Sequence, residues 1–352
     1  MRKAWPFMAN FWGFGALALF VPLLVVHYGD LGFSGVQIGL LTGLPPIVSA
    51  FGAPLWTNLA DRTGRHRRIL GVVFAGAVVA VVLIAMTDTF FAVLLLLLLF
   101  YLALSPFASF VDTATMHMLG DEKDRYGRIR VGATFGFAIF AWVGGVIAER
   151  VGIVTSFYAA AGAFVVGWFF ARQLDFGVPE VASDGDTTGF GDMVREPRWV
   201  VFMAMGIAGG IGFALAAGFF YPYMEEVGAA ESTIGLAIFI GTISEVPVLF
   251  WGNRFLAAMR PFTLLVATIV FTGVRFVLLA FAPTVGVVMA IQATHGLTFV
   301  LMWVAAVAYA DKHAPVGRKT TAQGLFAAST TGIGAAIGGL AGGPILAEMG
   351  AD

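Results

Sequence analysis

Apolar runs of about 20 residues, divided by short polar connections, restrict what this chain can fold into more than any other feature of it. The run that opens FFAVLLLLLLFYLAL at Phe90 is the plainest case. In hydrocarbon every backbone N–H and C=O must be satisfied within the segment, so such runs read as spanning helices. Eleven are legible, at 5–27, 35–59, 69–86, 90–117, 131–148, 153–172, 199–222, 232–252, 262–282, 285–309 and 320–347. The ten-residue alternation of a membrane β-barrel is absent. Composition agrees: of 352 residues 59% are hydrophobic and 12% charged, with mean hydropathy +0.90. A soluble domain carries about 25% charged residues, so the expected class is an all-α integral membrane protein.

The basic residues set an orientation. Of 20 Lys and Arg, 18 lie at the N-terminus or in the alternate connections 61–68, 121–130, 172–198, 253–260 and 311–319. Arg150 is on the other side and Arg275 within a span. The positive-inside tendency then places the N-terminus and these loops in the cytoplasm, in the plasma membrane of a prokaryote. MRKAWPF runs into the first apolar segment without a small-residue cleavage site, so that segment reads as a span and not as a removable signal. A net charge of −1 gives no sign of a nucleic-acid partner. The absence of cysteine excludes disulfides, thiolate metal sites and thiol nucleophiles.

The longest polar gap, 174–198, is rich in Gly, Asp and Thr and follows the sixth segment. It reads as a cytoplasmic linker between an N-terminal bundle, 1–173, and a C-terminal bundle, 199–352. Internal repetition supports that division. VQIGLL at 36–41 matches STIGLA at 232–237, and GGVIAERVG at 144–152 matches GGPILAEMG at 342–350, at offsets of 196 and 198 residues. Two matches at nearly one offset indicate a duplicated six-helix unit. After Gly350 only Ala351 and Asp352 remain, so the expectation is two six-helix bundles with the twelfth helix missing and five helices in the second.

Ionisable side chains inside a span cost about 2.5–3.5 kcal/mol each on insertion scales and require partners. Glu245, Arg275 and His295 lie in segments eight, nine and ten. At 1.5 Å per residue each falls roughly 15–20 Å from its helix start, so all three can meet near the midplane. The bland alternative is a packing pair of Glu245 with Arg275 and an ordinary interior histidine. In the first half Asp112 sits in the last turns of segment four and needs a cation, which Arg130 offers. Lys123, Arg125 and Arg128 read as positive-inside anchors.

LADRTGRHRRIL at 59–70 resembles the signature between helices two and three of the major facilitator superfamily, with Asp61, Arg62, Gly64 and Arg65 matching. Thr57 stands for the first glycine of the signature and His66 for its usual Lys or Arg. The resemblance implies the major facilitator fold, and a gating role for this loop. YGRIRVGATFGF, GTISEVPVLF, GVRFVLL and QATHGLTF further resemble the lactose permease and phenylpropionate permease branch of proton symporters. By that resemblance Asp112 and Arg130 bind substrate, with Phe137 where a relative stacks its sugar on tryptophan. Glu245 couples substrate to protonation, Arg275 tunes proton release, and His295 bridges the two functions. Thr298 replaces a second carboxylate, which argues against lactose itself.

The resulting expectation is a secondary active transporter, monomeric in the bilayer, with no cofactor and with the proton as coupling ion. It takes up a small polar organic solute, whether an aromatic carboxylate, a sugar or a nucleoside. A drug or metabolite exporter of the same fold, or a non-transporting membrane sensor, are the alternatives. GFAIFAWVGGV lacks the Gly-Pro motif usual in helix five of antiporters, which favours uptake. An enzyme is not expected, because Ser244 and Ser329 lack convincing His and Asp partners. HExxH, CxxC and phosphate-cradling loops are absent, and with them a metal site.

Overall fold

Each apolar run becomes a helix, and helices are the only regular structure among the described residues. The computed structural model describes residues 4–122, 125–177, 195–314 and 319–349, without the side chains of 61, 253, 311, 319–321 and 349. Its spans are α1 (Ala4–Asp30), α2 (Gly35–Ala60), α3 (His66–Ala85), α4 (Phe90–Leu119), α5 (Tyr126–Val151) and α6 (Ile153–Ala171). In the second half follow α7 (Pro197–Glu226), α8 (Glu231–Gly252), α9 (Pro261–Ala280), α10 and α11 (Ala322–Glu348). The helix α10 is a bent pair, Val285–Gln292 and His295–Ala310, meeting at 46°. At 1.5 Å per residue even the 19-residue α6 reaches about 28 Å, enough to cross hydrocarbon.

Several helices begin earlier than hydropathy indicates. α5 starts at Tyr126 and not at 131, and α3 at His66 and not at 69. The added residues are largely basic, and long basic side chains extend to the membrane edge while the backbone stays helical. Arg130 therefore lies one turn inside α5. The helix of α2 continues to Thr63 and stops at Gly64, whose φ of +64° is the left-handed conformation that favours glycine.

In the first half α1 packs against α5 and α6, α3 against α4 and α6, and α2 against α4. Ser156 Oγ donates to the Leu19 carbonyl (2.8 Å) and Trp56 Nε1 to that of Leu102 (2.9 Å). In the second half α7 packs against α9 and α11, and α10 against α8 and α9. Tyr223 donates its hydroxyl proton to the Leu279 carbonyl (2.6 Å). Aromatic rings fill both interiors, with Phe20 edge-on to Phe157 (4.9 Å between centroids) and Phe202 tilted on Tyr309 (4.8 Å).

The halves meet through α2 with α11 and through α5 with α8. The repeat makes these two seams equivalents. A Cβ on Gly145 would lie 2.2 Å from the Glu231 carbonyl oxygen and 3.2 Å from Gly235 Cα; one on Gly343 would lie 2.2 Å from the Gly35 oxygen and 2.6 Å from Gly39 Cα. These positions are related by the same offsets as the sequence matches. Only glycine permits backbones this close. Thr42 adds a hydrogen bond to the Gly339 carbonyl (2.8 Å), and Glu149 accepts one from Ser232 N (3.0 Å). All these approaches lie in the half of the span remote from the N-terminus of α1, so the helices are joined tightly at that end.

Candidate transport site

Two breaks in helix geometry build the centre of the second half. The helix of α8 is interrupted at Ser244, between Glu231–Ile243 and Glu245–Ala258. The bend in α10 is followed by a 3-10 turn, His295–Leu297. These irregular stretches dock on each other. Ser244 Oγ donates to the Gly241 carbonyl (2.6 Å) and accepts from Gly296 N (2.9 Å), so backbone groups released by the breaks are satisfied. A Cβ on Gly296 would stand 2.2 Å from the Ser244 carbonyl oxygen. This contact brings the next residue of each stretch together: His295 Nε2 is 3.5 Å from Glu245 Oε1, with both side chains about four-fifths buried.

Arg275 has a different partner from the glutamate considered for it. It is 3% exposed and donates through Nη2 to the side-chain oxygen of Gln292. Among the described residues no carboxylate oxygen stands within salt-bridge distance of it. The pairing of Glu245 with Arg275 considered from sequence is thus corrected: His295 takes the glutamate and Gln292 takes the arginine. Periodicity treats α10 as a straight helix, whereas its bend moves Gln292 and His295 onto different partners. Arg275, His295, Thr298, Phe213 and Phe276 line one small recess of about 20 Å³, open to its surroundings.

In the first half Arg130 Nε lies 3.6 Å from Asp112 Oδ1, each about one-third exposed, and the guanidinium sits 4.7 Å above the Phe14 ring. Tyr126, the first residue of α5, stands within hydrogen-bonding reach of both. Phe137 follows Arg130 by seven residues on the same face of α5, about 10 Å along it, and is half-buried. Arg130 and Glu245 are at matching depth. Measured along the antiparallel α5 and α8 from the contact of Gly235 with Ala141 and Trp142, Glu245 is about 15 Å and Arg130 about 17 Å towards the N-terminal side. Arg130 with Asp112 and Glu245 with His295 therefore form two clusters, one in each half, whose Arg130 and Glu245 stand at one level.

Sequence reasoning missed Gln292, Tyr126 and Ser244. Gln292 and Tyr126 carried a signal, since a polar side chain beside an intramembrane charge is a candidate partner. Ser244 carried none, because its role depends on a helix break that hydropathy does not reveal.

The sequence profile of the MFS 1-like family matches residues 8–352. The chain belongs to the MFS 1-like family. A maltose permease of Geobacillus stearothermophilus is 27% identical over 343 residues, covering 96% of this chain and 85% of that protein. Multidrug resistance protein MdtG of Yersinia enterocolitica is 29% identical over 169 residues, covering 45% of this chain and 40% of that protein. Among solved structures the nucleoside transporter NupG superposes with a TM-score of 0.86 at 19% identity, covering 98% of this chain and 91% of that one. At that identity the likeness shows the fold, which is that of major facilitator transporters. The chain is a multi-pass membrane protein of this transporter family.

The α2–α3 loop of this MFS 1-like chain is anchored more firmly than a basic surface loop requires. Arg62 and Arg65 are exposed, and the Asp61 side chain lies outside the described residues. His66 is buried, stacked on Phe176 (5.1 Å between centroids) and edge-on to Phe110 (5.8 Å). Arg67 donates to the Leu174 carbonyl (2.9 Å). The loop is thereby tied to the first residues of the 174–198 connection, of which 178–194 lie outside the described residues, as does Lys123.

Proposed function

We propose that this transporter takes up a small polar organic solute together with a proton by alternating access. The solute is an aromatic carboxylate, a sugar or a nucleoside, bound between the two clusters. Glu245 carries the proton, with His295 and Arg275 coupling it to the solute, and Asp112 and Arg130 hold the solute from the first half. The observation that carries this reading is the Glu245–His295 contact inside the membrane span, beside an open recess. A carboxylate that exchanges an imidazolium for a proton changes charge on a small movement, because desolvation and a nearby cation act on it in opposite directions.

Alternating access is supported by the glycine seams at the end remote from the N-terminus. With those joined, a solute between the clusters reaches the other side, and rocking the halves about the site exchanges the two openings. We assign that other side to the cytoplasm from the distribution of Lys and Arg, in the cytoplasmic membrane, with bundles at 1–173 and 199–352 joined by 174–198. The protein acts as a monomer, without a cofactor, and Arg62, Gly64, Arg65 and Asp61 belong to the gate.

The partial match to MdtG supports a second reading, export of a drug or metabolite. Accumulation of labelled solutes in proteoliposomes under an imposed pH gradient separates the two. The proposal expects inward accumulation of one of the three solute classes driven by an inward proton gradient. Solute extrusion against the proton flow, or transport indifferent to the gradient, contradicts it.

A further inference from the structure

On the side of the α2–α3 loop, Arg67 and Arg68 lie in the first turn of α3 and Arg172 caps the C-terminus of α6. Among the described residues no carboxylate oxygen stands within salt-bridge distance of any of the three. Asp175, the nearest carboxylate along the chain from Arg172, accepts from Gly177 N through Oδ1 (3.2 Å). The two helices run in opposite directions and meet where a Cβ on Gly71 would lie 3.6 Å from Trp168 Nε1. From that meeting point Arg68 is three residues, about 4.5 Å, and Arg172 four residues, about 6 Å, towards the loop side. Arg67 is held near them by its bond to the Leu174 carbonyl (2.9 Å). The Arg172 guanidinium lies 4.6 Å from the centroid of the Phe169 ring and 5.7 Å from that of Trp168, and both rings are partly exposed. The faces that lead away from the pair into the span are apolar. Val72, Ala75 and Val79 follow Arg68 at four, seven and eleven residues, while Phe169, Val165 and Gly162 precede Arg172 at three, seven and ten. That spacing puts each set on one helix face, and all six residues are exposed. A Cβ on Gly162 would meet nothing within 4 Å, so the groove between the two faces is open there.

We infer that the α3–α6 groove binds an anionic phospholipid, with its phosphodiester between Arg68 and Arg172 and an acyl chain along Val72, Val79, Val165 and Phe169. Guanidinium groups hold phosphate oxygens through paired N–H donors, and basic clusters between spanning helices at the membrane edge select anionic headgroups. The phosphate supplies the negative charge that the three arginines lack, and the apolar faces hold a lipid where a free ion would have only the headgroup contacts. A zwitterionic lipid carries its own ammonium beside the phosphate and compensates the arginines less. A topogenic role asks only for basic residues somewhere near the span ends. Duplication does not account for the pair either, since the repeat offsets carry Arg68 to Leu264 and Val266 in α9. The bound lipid bridges the start of α3 to the end of α6, where Arg67 already joins them. This site is separate from the transport site, and its failure leaves the transport reading intact.

The test is the thermal unfolding midpoint of the full chain, purified in a neutral detergent. Dioleoylphosphatidylglycerol, dioleoylphosphatidylcholine and inorganic phosphate are added separately at equal ionic strength. The inference expects phosphatidylglycerol to raise the midpoint while phosphatidylcholine and inorganic phosphate do not. The shift is expected to be lost when Arg68→Gln and Arg172→Gln are combined. It is expected to persist when Arg254→Gln and Arg260→Gln are combined, which removes the same charge from the α8–α9 connection, where Arg254 also lies over a tryptophan, Trp251 (5.7 Å). Where the first double variant does not fold, Arg68→Gln and Arg172→Gln are measured singly and each is expected to reduce the shift. Equal shifts from the two lipids, a shift reproduced by inorganic phosphate, or no shift with phosphatidylglycerol overturns the inference. So does a shift that survives loss of Arg68 and Arg172, or one lost equally in both double variants, which would make it an effect of net charge alone.

Discussion

Glu245 and His295 face each other at 3.5 Å because two helix breaks, one in α8 and one in α10, dock through Ser244 and Gly296. Neither side chain is placed by an ordinary helix face. The site therefore depends on the join between the breaks, and a change there displaces both residues at once.

Gly296→Ala tests this dependence. The added Cβ would meet the Ser244 carbonyl oxygen at 2.2 Å, and overpacking of this kind costs about 1–3 kcal/mol. The expected result is a folded protein with a lowered unfolding midpoint and lost proton-driven transport. Normal transport at a lowered midpoint shows that the register of Glu245 and His295 is unimportant.

Asp112→Asn and Arg130→Ala each remove one member of the pair at 3.6 Å. Both are expected to weaken solute binding about tenfold, or about 1.4 kcal/mol, without altering the unfolding midpoint greatly. Equilibrium binding to the purified protein measures this. Unchanged affinity in either variant reassigns the pair to the gate.

Gly145→Val and Gly343→Val place branched side chains where the seams have no room, against the Glu231 and Gly35 carbonyl oxygens. The seams are expected to stay apart. The chain has no cysteine, so Thr42→Cys, whose native hydroxyl reaches the Gly339 carbonyl, gives a clean label site. Labelling by a membrane-impermeant maleimide should speed up about tenfold in the Gly343→Val background, as expected for about 1.4 kcal/mol of lost closure. An unchanged rate means that the seam does not control access.

The spans were legible because a bilayer tolerates little else: 90–117 and 153–172 are fixed by length and apolarity alone. The duplication was legible too, and its consequence is physical, since Gly145 and Gly343 are repeat equivalents that seal equivalent seams. The proximity of Asp112 and Arg130 followed from the need of an intramembrane charge for an opposite one. The same reasoning put Arg275 beside His295, with which it lines one recess, but considered only a carboxylate as its partner and a straight α10. Gln292 accepts from Arg275 across a bend that arises from tertiary bonding at Ser244 and Gly296. Hydropathy carries no record of such a bond.

The central claim, that Glu245 carries the coupling proton, is tested most directly by comparing wild type with Glu245→Gln in proteoliposomes for solute accumulation under an inward proton gradient and for solute exchange at equal pH. The account predicts that the variant retains exchange while its accumulation falls to equality between the two sides, since the amide cannot take up a proton. Full uphill accumulation by Glu245→Gln contradicts it.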